Sequence, residues 1–126
     1  MMSVAEGMGI STNDVLNFVD ADRKELNMAY HFEGMGYGYL PGKWKTPDPN
    51  GYDLVGFKKL YSRWDSVFAE KGWGTIYLGN HDQPRMLTRW GNDAPEFRVY
   101  SSKLLTDVFN DHAFNTLLLL WRRIRA

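Results

Sequence analysis

Met2-Ser3-Val4-Ala5 is a short apolar run that empties into Glu6-Gly7-Met8-Gly9, the pattern of a buried strand ending in a loop. Ser11 or Thr12 then caps a short helix whose inward side is expected at Val15, Phe18 and Val19. From Leu26 to Phe32 the pattern alternates, with Leu26, Met28, Tyr30 and Phe32 on one side and Asn27, Ala29 and His31 on the other, so a second strand is predicted. Residues 34–52 hold five glycines and three prolines among several aromatics, which predicts a long irregular loop. Asp53 caps an apolar stripe at Leu54, Phe57, Leu60, Tyr61, Trp64, Val67 and Phe68, with Lys58, Lys59 and Arg63 outward and Gly72 at its end. Thr75-Ile76-Tyr77-Leu78 is a third strand, and Pro95 opens a helix through Phe97, Tyr100, Leu104 and Val108.

Strand and helix alternate with connections long enough for crossovers, which predicts an α/β fold with parallel strands covered by helices. In such sheets, sites lie beyond the C-terminal strand ends. Glu6 and Asp82 follow the first and third strands and are expected on one face.

Composition narrows the function. Fifteen basic residues against fifteen acidic ones give no concentrated positive field, so nucleic acid and anionic membranes are not expected partners. The longest apolar run, Leu117 to Trp121, is far short of the ~20 residues that span a bilayer. Cysteine is absent, which excludes thiolate metal sites and disulfides. The first twenty residues lack a basic start followed by an apolar run, so no signal peptide is expected and the compartment expected is the cytoplasm. No cofactor and no metal are called for.

The string Tyr77-Leu78-Gly79-Asn80-His81-Asp82-Gln83-Pro84-Arg85 sets polar side chains directly after an apolar strand. One reading is a polar turn in which Asn80 or Asp82 satisfies its own backbone. A second is a dinuclear-metal phosphoesterase, where Gly-Asn-His-Asp also occurs. That site needs further Asp and His ligands, whereas the chain has only His31, His81 and His112 and no Asp-x-His.

A third reading joins the string to other stretches. Ser3-Val4-Ala5-Glu6-Gly7, the run from Arg23 to Glu33, Trp64 through Trp73, Asn80-His81-Asp82-Gln83-Pro84-Arg85 and Arg89-Trp90-Gly91-Asn92-Asp93 together resemble, in order, the α-glucosidase and oligo-1,6-glucosidase branch of glycoside hydrolase family 13. The resemblance runs from residue 1 to about Leu105 and implies a partial (β/α)8 barrel, strands five to seven with their helices. It implies Glu6 as general acid/base, Asp82 as the carboxylate that stabilises the transition state, and His81, Gln83, Asn80 and Arg85 as contacts to an α-glucosidic oligosaccharide. Local sequence alone favours a solvated Glu6 and an Arg85 that only holds its loop. His31 and Glu33 are expected behind the same rim, and the tyrosines and Trp44 of the long loop either stack on sugars or fill a core.

Two departures qualify the resemblance. The family's nucleophile stands in a stretch like Gly-Phe-Arg-x-Asp, and nothing similar occurs here. The expectation is therefore a chain that is inactive alone, with open strand edges that favour self-association or a missing barrel half. Residues 106–126 diverge from the family and read as a helical tail whose Arg122, Arg123 and Arg125 suit a helix C-terminus. An amphipathic contact, a truncation or an altered reading frame all fit that tail. Linkage, α-1,4 or α-1,6, and hydrolysis against isomerisation stay open, with hydrolysis the default. A non-catalytic sugar-binding module is the competing class.

Overall fold

The computed structural model describes residues 1–43, 45–75 and 78–110. Its elements are β1 (Val4–Gly7), α1 (Leu16–Val19), β2 (Met28–His31), α2 (Glu33–Gly36), α3 (Leu54–Phe68), β3 (Trp73–Thr75), α4 (Met86–Trp90) and α5 (Arg98–Asn110). The strands form one sheet in the order β1-β2-β3. Both pairings are parallel, with Ala5 opposite Ala29 and Ala29 opposite Gly74. The α/β expectation is met.

The apolar stripe of α3 forms the core, because residues three and four apart stack on one side of a helix. Phe57, Leu60, Tyr61, Trp64 and Phe68 are buried, together with Val15, Val19, Ala29, Leu78 and Leu105. Leu54, expected inside, is exposed in the first turn. Asp53 caps the helix by accepting a hydrogen bond from the Gly56 amide at 2.6 Å, and the Tyr37 hydroxyl donates to the same carboxylate at 2.9 Å. A Cβ on Gly56 would sit 2.0 Å from the Tyr37 oxygen, so only glycine lets that hydroxyl reach the cap.

Several expectations need correction. Phe18 is 41% exposed while Val15 and Val19 are buried, because α1 is a single turn and presents only one narrow side inward. Ser11 does not cap it through a backbone amide; its hydroxyl donates to Asp14 Oδ2 at 2.5 Å. β2 is buried on both sides, at Met28, Ala29 and His31, as a parallel strand between two neighbours must be. The long loop contains α2 and an antiparallel bridge between Tyr39 and Pro47. β3 begins earlier than expected, at Trp73, and Ile76 and Tyr77 lie outside the described residues. Along the expected helix after Pro95, Phe97, just before α5, and Tyr100 and Leu104 are exposed, while Leu105 is buried. The helix continues past Leu105 to Asn110; residues 111–126, with the expected arginine-rich tail, lie outside the described residues. Among the described residues no helix is long and apolar enough to cross a membrane.

Candidate active site

Parallel pairing brings all C-terminal strand ends to one edge. Glu6 lies near the end of β1, and Asp82 lies beyond the end of β3. One strand separates β1 from β3, so the ends of those two strands lie about 10 Å apart. Glu6 is opposite Tyr30 and Gly7 opposite His31. Successive strand residues alternate between faces, and the His31 ring stacks on Trp64 of α3 at 4.3 Å. The His31 face is therefore helix-covered, and Glu6 projects from the opposite face, where it is exposed.

The segment after β3 is a turn. Asn80 Oδ1 accepts from the Asp82 amide at 3.0 Å, and the Gln83 amide reaches the Asn80 carbonyl at 3.2 Å. That is the backbone-satisfying role open to Asn80 from sequence, and it leaves the Asp82 carboxylate half exposed with His81 Nε2 at 3.4 Å. The His81 side chain is 88% exposed. Arg85 is exposed at the start of α4 and makes no side-chain cap. Gln83 is buried, and its Oε1 accepts from the Tyr39 hydroxyl at 2.7 Å. Glu6, His81, Asp82 and Arg85 are thus exposed, whereas Gln83 is directed into the loop packing.

His31 and Glu33, expected behind the rim, instead serve the helix layer. Glu33 pairs with Arg63 and accepts from Trp64 Nε1 at 2.9 Å. His31 is 2% exposed, and burial holds its pKa at about 4 against the opposing pull of Glu33. A folded-state pKa below the ordinary 6.5 makes its stabilisation complete above that value, with loss as pH falls toward 4. The loss amounts to roughly 3 kcal/mol. His31→Phe is expected to flatten the fall in unfolding free energy between pH 7 and pH 4 relative to the parent; equal pH dependence in the two proteins would contradict this.

The loop aromatics also pack. Tyr37, Tyr52 and Phe57 form a mutual edge-on cluster, and Tyr52 leans on Trp90 at 5.1 Å. Trp44 lies outside the described residues. A groove of about 520 Å³ between α3 and the long loop, bordered by Tyr37, Tyr39, Lys59 and Arg63, is lined by neither Glu6 nor Asp82. Among the described residues no group of three or more His, Cys, Asp or Glu is arranged to hold a metal ion.

Sequence reasoning missed Arg89. Its Nη2 donates to the Tyr37 carbonyl at 2.9 Å, and its guanidinium lies 4.1 Å from the Tyr39 ring centre and 4.3 Å from that of Trp90. The only signal was its place in the Arg89-Trp90-Gly91-Asn92-Asp93 stretch.

The family model described as the alpha amylase catalytic domain matches residues 1–113. The chain belongs to the alpha-amylase family. Oligo-1,6-glucosidase of Parageobacillus thermoglucosidasius is 39% identical over 106 residues, which cover 83% of this chain and 18% of that protein. The oligo-1,6-glucosidase of Heyndrickxia coagulans is 40% identical over 113 residues, covering 86% and 20%. Among solved structures, isomaltulose synthase from Erwinia rhapontici aligns with a TM-score of 0.82 and 26% identity over 92% of this chain and 20% of that one. The chain spans about a fifth of the length of these relatives. Within the alpha-amylase family, a three-stranded parallel sheet with helices is part of a (β/α)8 barrel.

Proposed function

We propose that this chain carries the acid/base half of a retaining α-glucosidase site, acting on the α-1,4 or α-1,6 bonds of oligosaccharides, with β1 to β3 as the fifth to seventh barrel strands. The observation that supports the reading is that β1, with Glu6 near its end, and β3, after which the chain runs on to Asp82, flank β2 in one parallel sheet, in a chain of this family. The names of the relatives, oligo-1,6-glucosidase and α-glucosidase, support the substrate class.

In this reading, Glu6 protonates the glycosidic oxygen as a carboxylate attacks the anomeric carbon. It then takes a proton from the water that releases the sugar. Asp82 accepts hydrogen bonds from ring hydroxyls, which strengthen as the ring flattens. His81, close to Asp82, donates to a hydroxyl of the same ring. Arg85 borders the site. Asn80 Oδ1 is engaged by the Asp82 amide, so Asn80 contributes through its side-chain NH2, while Gln83, buried with its Oε1 on Tyr39, holds the turn from behind. The attacking carboxylate comes from another segment, since no stretch of the sequence resembles Gly-Phe-Arg-x-Asp. The exposed Tyr100 and Leu104 on α5 and Trp73 on β3 support a neighbouring barrel segment, or a second copy, as what covers those faces.

The test is turnover of a chromogenic α-glucoside. The 126-residue chain alone is expected to give none, and mixing it with a separately expressed N-terminal barrel segment of an oligo-1,6-glucosidase is expected to restore it. Saturable binding of a glucosidase inhibitor with no turnover in any mixture would favour the non-catalytic sugar-binding module.

A further inference from the structure

We propose that Arg89 is the positioning residue for the His81–Asp82 turn, acting as a clamp that ties the segment after β2 to the segment after β3. Five contacts converge on this arrangement. Arg89 holds the Tyr37 carbonyl from 52 residues away, and its guanidinium is close to the rings of both Tyr39 and Trp90. Tyr39 in turn donates to Gln83, the residue following Asp82. Trp90 Nε1 donates to the Leu78 carbonyl at 3.2 Å, two residues before Asn80. The turn is thus fastened at both ends, at Leu78 and at Gln83, while its middle, His81 and Asp82, stays exposed.

Arginine suits this place for a physical reason. A planar guanidinium can face two rings and still direct an edge N–H at a carbonyl, whereas an ammonium is a point charge that cannot do both. Burial lowers the Arg89 pKa somewhat, but nothing in the clamp requires it to lose its proton. The two exposed residues gain a fixed location without being packed themselves, which a sugar-contacting carboxylate needs.

The consequence for catalysis rests on the glucosidase reading; the clamp itself does not. Amide hydrogen exchange on the full chain therefore comes first, comparing the parent with Arg89→Ala, Arg89→Lys and, as a control, the exposed Arg98→Ala. Exchange at residues 80–83 is expected to rise about 10-fold or more in Arg89→Ala. A clear rise is expected in Arg89→Lys and none in Arg98→Ala, with protection at Met28–His31 unchanged in all. Unaltered exchange at 80–83, or a rise of equal size throughout the chain, would overturn the clamp. In the restored enzyme, Arg89→Lys is expected to lower kcat by about 10-fold or more with a smaller change in KM. An unchanged kcat despite loosened exchange would overturn the positioning role. Selective loosening in a protein that never turns over glucosides would leave the clamp standing and remove the glucosidase reading.

Discussion

Trp64→Ala is expected to reduce the free energy of unfolding by about 3–5 kcal/mol, the range for deleting a large buried aromatic ring. Trp64 is fully buried. It stacks on His31 at 4.3 Å and on Phe68 at 5.8 Å, and it donates to Glu33 Oε2 at 2.9 Å. Alanine removes the ring, leaves a cavity between α3 and β2 and takes one donor from Glu33. Denaturant titration of parent and variant measures the loss, and a change below about 1 kcal/mol would show that the α3 stripe is not the core of the fold.

The second large effect is on chemistry. In the enzyme restored by a complementary barrel segment, Glu6→Gln is expected to lower kcat by about 10²–10⁴-fold, because glutamine keeps the shape but can neither give nor take the proton. Asp82→Asn is expected to lower kcat at least as clearly as it raises KM, since a carboxylate that grips the flattened ring acts mainly in the transition state. A substrate whose leaving group needs no proton is expected to recover most of the first step in Glu6→Gln and little of the loss in Asp82→Asn. Recovery of both to the same degree would contradict the division of roles.

The part of the fold readable from sequence is the part governed by local periodicity. The α3 stripe from Phe57 to Phe68 specifies both a helix and its buried side, because it packs on the sheet it connects. The stripe through Phe97, Tyr100 and Leu104 has similar spacing, yet those three residues are exposed while Leu105 is buried. Spacing announces an amphipathic helix but not which neighbour covers it. Alternation likewise separated His31 from Tyr30 without saying that the His31 face meets Trp64, so His31 belongs to the helix layer and not the rim. The shared edge at which β1 and β3 end was legible because parallel strands put their C-terminal ends together whatever the loops do. The Arg89 and Tyr39 contacts were not, since they join residues 52 and 44 positions apart through side chains that ordinary packing uses equally often.

The account depends on Glu6 and Asp82 leaving the sheet at one edge. The chain contains no cysteine, so Glu6→Cys combined with Asp82→Cys gives a protein with two thiols at known places. A thiol-reactive bifunctional reagent spanning about 10 Å, the width of two strand intervals, is expected to join them within one chain in high yield. Failure to form that intramolecular link, while each thiol alone reacts fully with a monofunctional reagent, would mean that the two acids do not face a common glucosyl ring.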